Sequence, residues 1–450
     1  MKLRPRWAVV LPLLLFAPAP ARAADEEVAE LARKVEVLTE EIERLRLGAA
    51  AETTRYESRS GLGPAASKVY GRSAGVSIGG YGEMLLEALD REDEGGSAVP
   101  APRSRLDLLR AVFYFGYKFT DDLLFNSEIE FEHAGVFDEA EVEGEVTDPG
   151  TGAVAGEAEL SGEVLVEFAY VEWQARRGLG VRAGKLLLPL GLTNELHEPP
   201  AFLGARRPEV ERYIIPTTWS GNGVGLVGDL GAGVSYRAYV TEGLDAAQFT
   251  ATDAIRGGRQ GGSRSLVTHP AFSARVDWTG APGLLVGASA YTGESWQRAQ
   301  PAGAHLSART TVFDLHGRVE WRGLEARGLY AQGALDEAAE LSEALGVAGT
   351  PAALGESFSG GFLEAGYDVL TRLRRGSRWS LLPYGRYEAY DTQDDVPGGA
   401  EDPAHDRRLV TAGLAVKPHP NLALKVDRQW RHDEAESGRS QWNAAVGYLF

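Results

Sequence analysis

The sequence predicts an all-β chain, a 16-stranded antiparallel transmembrane β-barrel with an N-terminal periplasmic coiled-coil helix. Three observations carry that prediction. From Gly75 onward, segments of roughly 8–16 residues alternate apolar with polar side chains. The connections between them alternate between long and short, as in outer-membrane barrels. The last segment presents Trp442, Ala444, Val446, Tyr448 and terminal Phe450 on one apolar face.

The amino terminus reads as an export signal. Lys2, Arg4 and Arg6 precede a short apolar run, and Ala21-Arg22-Ala23 supplies a small-x-small cleavage site, so residues 1–23 are expected to be removed. No run of 18 apolar residues is present, so no membrane-spanning helix is expected. The 450-residue chain has no cysteine, which excludes a disulfide framework and thiolate metal sites. Its formal charge of −18 argues against nucleic acid as a partner, because phosphate contacts need clustered Lys and Arg.

Over 24–47, Val28, Leu31, Val35, Leu38, Ile42 and Leu45 fall on a heptad a/d seam, with Glu41 at g facing Arg46 at e of a parallel neighbour. Fewer than three heptads are marginal alone in water. This coil therefore makes sense where something else already holds chains together. Residues 48–74, rich in Gly, Ser, Ala and Arg, read as a linker.

Strands are expected at 75–89, 105–119, 122–134, 163–176, 179–187, 221–230, 232–242 and 270–279. The second half follows at 283–292, 307–321, 323–333, 357–370, 377–391, 406–417, 421–431 and 440–450. Phase is clear in several. Leu109, Phe113, Phe115, Tyr117 and Phe119 oppose Arg110, Tyr114 and Lys118. Phe313, Leu315 and Trp321 oppose Asp314, His316 and Glu320. A soluble sandwich would alternate too; the even count and the loop rhythm favour the barrel.

One connection stands apart. Residues 187–220 hold no sustained period and five prolines (Pro189, Pro199, Pro200, Pro208, Pro216). They carry Arg206, Arg207 and Arg212 beside Glu195, Glu198, Glu209 and Glu211. Loops of this length are functional or disordered. Phe202, Leu203, Tyr213, Ile214, Ile215 and Trp219 argue against disorder, so the segment is expected to fold into the barrel mouth.

With a short amino-terminal coil, GGYGEMLLE at 79–87 on the first strand, the 191–219 loop and terminal Tyr448-Leu449-Phe450, the chain resembles the porin family that includes phosphate- and polyphosphate-selective members. The resemblance covers most of 75–450. It implies a homotrimer in the outer membrane that takes up small solutes passively, with neither enzyme activity nor a cofactor. It also implies that the third long loop narrows the pore. Anion selection in the family implies Arg and Lys lining the passage.

The inward charges here are mixed. Arg110, Lys118, Arg275, Arg318, Arg386, Arg407 and Lys425 face Glu128, Glu130, Glu132, Asp277, Asp314, Glu320, Glu364, Asp368, Glu388 and Asp427. The constriction and its selectivity are assigned to Arg206, Arg207, Arg212, Glu195, Glu198, Glu209, Glu211, Arg110, Lys118 and Arg318. One reading is a charge-separated constriction whose field orients solutes. The other is a salt-bridge network pinning the loop to the wall.

A different class of function is a structural barrel that anchors the envelope, its coil binding peptidoglycan. Glu195, His197 and Glu198 lack a second cluster and make a weak metal motif. The acidic run Glu139, Glu141, Glu143 and Glu145 reads as a solvated loop. Ser127 has no histidine pattern that would make it a nucleophile.

Overall fold

The computed structural model describes residues 33–34, 58–59, 61–100, 104–134, 162–176, 178–301, 305–374, 376–399 and 401–450. The signal peptide, the acidic run at 139–145 and the coil other than Arg33 and Lys34 lie outside the described residues.

Alternating segments become strands because one face of each can be apolar and the other polar. In order they are β1 (Gly75–Leu89), β2 (Ser104–Lys118), β3 (Leu123–Glu132), β4 (Glu163–Arg176), β5 (Leu179–Leu187), β6 (Ser220–Gly231), β7 (Val234–Glu242) and β8 (Pro270–Trp278). They continue as β9 (Leu284–Glu294), β10 (Arg309–Trp321), β11 (Leu324–Leu335), β12 (Ser357–Tyr367), β13 (Ser380–Asp395), β14 (Asp406–His419), β15 (Leu422–Asp433) and β16 (Gln441–Leu449). Each pairs antiparallel with its sequence neighbours, and β1 pairs with β16 to close the barrel, from Tyr81↔Leu449 to Leu89↔Gln441. Phe450 extends the seam, exchanging both backbone bonds with Gly80 at 2.9 and 3.0 Å. Closure leaves no strand edge unpaired.

The barrel is apolar outside and charged inside. On β10, Phe313 and Leu315 are 41% and 59% exposed, while Asp314 and His316 between and beside them are 0% and 4% exposed. A soluble sandwich would put those faces the other way round. Short turns close one end of the barrel. At β10–β11, Arg322 and Gly323 both have positive φ (+49° and +90°), the requirement of the two-residue turn that matches strand twist.

Two expectations need correction. Leu109 was expected outward with Phe113, but it packs inward with Leu85, Ala205 and Ala445. The cause is a β-bulge: register jumps from Glu83↔Arg110 to Leu85↔Asp107, so two residues of β2 oppose one of β1 and the phase shifts. The second correction concerns the stretch 48–74, read as a linker. Its described part from Gly61 is folded inside the barrel, where Leu62, Ala65, Ala66, Val69 and Tyr70 are buried against inward residues of the wall such as Tyr81, Tyr114 and Phe168. Composition alone missed this because small residues that suit a flexible linker also suit close packing on a wall. Gly116 shows the fit, since a Cβ there would lie 2.6 Å from Val69 Cβ.

Candidate pore constriction

Residues 188–219, between β5 and β6, turn into the lumen. Their prolines deny them a strand, and only two short helical turns form, at Pro199–Ala201 and Val210–Tyr213. Their apolar side chains then find cover inside: Leu188, Leu190, Val210, Ile214, Ile215 and Trp219 join a buried cluster with wall residues such as Tyr291 and Phe358. The loop separates two cavities. One, of about 790 Å³ on the long-loop side, is lined by 205–209, Arg212, Glu83, Glu87, Arg110 and Arg256 among others. The other, of about 950 Å³ on the short-turn side, is lined by Leu192, Glu195, Arg59, Gly61, Arg318 and further wall residues. No residue lines both.

The loop carboxylates act as pins. Glu195 meets Arg237 at 3.2 Å and Arg275 at 4.0 Å. Glu198 Oε1 accepts from the backbone N–H of Ala65 (2.9 Å) and Ala66 (3.2 Å). Glu209 is ion-paired with Arg431 and accepts from Tyr390 Oη at 2.7 Å. Glu211 Oε1 accepts from Leu192 N (2.5 Å) and Thr193 N (2.7 Å), bending the loop onto itself. The wall reciprocates: Asp314 accepts from Gly191 N (3.1 Å), Asp427 from Ala205 N (2.7 Å) and Glu388 from Glu209 N (2.6 Å). These bonds replace water for backbone groups that a strand would otherwise have satisfied.

Surroundings set the charge of these pins. Burial pushes Glu198 up to about 8, with the two N–H donors working against it. Burial pushes Glu209 up as well, but Arg431 and Arg206 outweigh it and hold the carboxyl down at about 2. His197 is held at about 3 by burial and then by Arg207, so it is neutral near pH 7. The metal motif falls apart in space: Glu195 goes to Arg237, Glu198 to Ala65 and Ala66, and His197 Nε2 lies 3.0 Å from Glu128 Oε1. Ser127 Oγ is committed to the Phe115 carbonyl at 2.9 Å.

The loop arginines behave differently. Arg206 pairs with Glu87, which Arg105 also approaches at 3.5 Å. Arg207 and Arg212 line the long-loop cavity, and among the described residues neither has a carboxylate partner. The Nε of each is buried without a hydrogen-bond partner. Arg207 donates only to a carbonyl, that of His197 at 3.1 Å. Arg212 lies over the Tyr213 ring at 5.1 Å, and that ring stacks on Tyr390 with centroids 5.3 Å apart. Arg256, from the 243–269 connection, lines the same cavity and donates to the Arg212 carbonyl at 3.4 Å. Burial, then Arg259 and Arg212, push it down to about 9.

Of the wall residues, Arg110 lines this cavity among Glu130 (3.4 Å), Glu132 (3.6 Å) and Glu83 (3.8 Å). The structure does not bring Lys118 or Arg318 to it. Lys118 is buried at the short-turn end of β2 and lines neither cavity. Arg318 lines the short-turn cavity, 3.4 Å from Glu320. Sequence reasoning missed Glu83 and Glu87, although period-2 counting from Tyr81 would have found them. It also missed Arg256, for which the sequence offers no signal.

This geometry defines the class: a porin-like closed 16-strand barrel with a loop folded into its lumen. Solved structures share the fold. A loop-deletion mutant of OmpT, an outer membrane protein of Vibrio cholerae, superposes with TM-score 0.51 at 13% identity, over 84% of this chain and 100% of that one. OmpF of Salmonella typhi in complex with daunomycin gives TM-score 0.51 at 11% identity, over 84% and 98%. No family model matches the sequence. A protein of Aquifex aeolicus (strain VF5), described as uncharacterized, is 36% identical over 402 residues, 88% of this chain and 84% of that protein. The chain belongs to the same family as that protein.

Proposed function

We propose that the protein is an outer-membrane porin, a passive diffusion channel for small hydrophilic solutes that leans towards anions. The carrying observation is the set of three guanidiniums, Arg207, Arg212 and Arg256, that face the long-loop cavity with no carboxylate partner among the described residues. Unneutralised positive charge between low-dielectric walls raises the local concentration of anions and repels cations. Phosphate, which guanidiniums recognise through paired N–H donors, is the first anion to try.

In this reading residues 1–23 direct export, and 24–47 form a periplasmic coil on a homotrimer embedded in outer-membrane lipid. The outward belt supports the lipid contact. It includes Phe113, Phe115, Leu315, Leu363, Val426 and Trp442, all exposed. The test is the reversal potential of the purified barrel in a planar bilayer under a potassium chloride gradient. An anion-selective sign supports the guanidinium filter, and block by phosphate would then name the anion. A cation-selective sign hands the filter to Glu83, Glu87 and their neighbours.

The envelope-anchoring barrel is the second reading, favoured by the apolar cluster that fills part of the lumen. Absence of conductance would put it first, and binding of the mature protein to peptidoglycan would support it.

A further inference from the structure

The described residues of the segment 58–71 just before β1 have no part in the barrel sheet, yet from Gly61 they pack inside the lumen. Among the described residues, its backbone–backbone hydrogen bonds are local: Leu62 to Arg59, Ser67 to Gly63, Lys68 to Ala65, Tyr70 to Ser67, and Arg72 just beyond it to Val69. The barrel closes through β1 and β16 without it. Its attachments to the surroundings run through side chains. Asn126 Nδ2 donates to the Ala66 carbonyl at 3.0 Å. Tyr70 Oη donates to Glu172 at 2.6 Å, accepts from Arg182 at 2.9 Å and lies 2.9 Å from Tyr170 Oη. Ala65 and Ala66 donate to Glu198 of the constriction loop.

A segment built this way can leave as a unit. Its internal bonds travel with it, the polar side chains it abandons can be satisfied by water at the rim of a cavity, and what holds it in place is the apolar contact of Leu62, Val69 and Tyr70 with the wall. No sheet hydrogen bond is broken. Arg59 and Gly61 line the short-turn cavity, so departure would widen that mouth and free Glu198 of the loop at the same time.

We propose that residues 61–71 are a displaceable inner plug, seated on the constriction loop through Glu198 and on the wall through Tyr70, and that unseating it increases passage through the barrel. The effect on passage rests on the porin reading; the seat itself does not.

The test exploits a chain without cysteine. Ser67→Cys places a single thiol of near-native size at a position 4% exposed. In the full-length folded protein it should react slowly with a water-soluble maleimide. Adding Val69→Asp, which forces a charge against the apolar wall beside Gly116, should speed labelling by about tenfold or more and raise single-channel conductance. Gly63→Cys with Glu198→Cys is the opposite variant. A Cβ at Gly63 would meet the Glu198 carboxylate, so cysteines at the two positions face each other, and formation of the disulfide is checked first by thiol titration. Oxidised, it should conduct less than after reduction.

Fast labelling of Ser67→Cys alone would overturn the plug, as would faster labelling in Val69→Asp with conductance unchanged. If Val69→Asp fails to fold, the disulfide pair decides, and conductance indifferent to reduction overturns the proposal. Conductance missing from every variant, with labelling as expected, would instead sink the porin reading and leave a seated segment with no passage to control.

Discussion

Within one inserted loop, the carboxylates are all paired, while of the three arginines only Arg206 finds a carboxylate among the described residues, that of Glu87. Glu195, Glu198, Glu209 and Glu211 are each buried and each committed to a partner in the wall, the plug or the loop itself. Arg207 and Arg212, a few residues away, are half-buried, lack carboxylate partners among the described residues and face the long-loop cavity. The difference follows from chemistry. A carboxylate accepts from backbone N–H groups, and an irregular loop has a surplus of those to satisfy. A guanidinium only donates, so it cannot satisfy those N–H groups. The acids and Arg206 pin the loop, and Arg207 and Arg212 line the cavity.

The sharpest way to break this comparison is to remove a pin. Glu211 is fully buried, and Glu211→Ala leaves the N–H groups of Leu192 and Thr193 without an acceptor. Each orphaned donor costs about 1–3 kcal/mol, enough to disorder this part of the loop. Limited proteolysis of the folded barrel should then cut within 188–219, and channel recordings should become noisy. A loop that stays resistant and a quiet channel would show that Glu211 is not a pin.

A smaller effect is expected at Glu209, because Glu209→Gln keeps its shape and part of its hydrogen bonding. The gain from ionising it has a definite pH window. Its carboxyl titrates near 2 in the fold against 4.5 ordinarily, so the stabilisation is full above about pH 4.5 and is lost as the pH falls towards 2. Wild-type loop order, followed by protease resistance after acid exposure, should decline across that window. The Gln variant should start lower and lack this dependence.

How much of this was legible beforehand depends on how local the signal is. The strands were, because alternation is a property of neighbours: β1, β4 and β5 run where the pattern put them. The break between β5 and β6 was legible as well, from its prolines. The bulge that turned Leu109 inward was not, since it depends on two residues of β2 meeting one of β1. The plug was read as a linker because Gly, Ala and Ser serve both roles. Partners were the least legible. Glu211 finding Thr193 lies within reach of a loop argument, but Arg256 beside Arg212 joins two loops 44 residues apart.

Selectivity should respond to the arginines with little cost in stability. Arg207→Gln with Arg212→Gln removes two charges that pair with no described carboxylate, so protease resistance should be close to wild type. The anion-to-cation permeability ratio should fall several-fold, as expected when fixed charge is removed from a confined, low-dielectric passage. An unchanged ratio would move the filter elsewhere.

The least effect is expected from Arg318, and it tests whether position or mere sign matters. Arg318 carries the same charge as Arg212, but it lines the other cavity, close to Glu320, with its side chain 35% exposed. At physiological salt, charges more than about 8 Å apart across water are largely screened. Arg318→Gln should therefore leave the permeability ratio near wild type, with only a small change in conductance. A shift as large as that of the double loop variant would mean that the barrel selects by total lumenal charge, and that the segregation of roles along the loop has no bearing on passage.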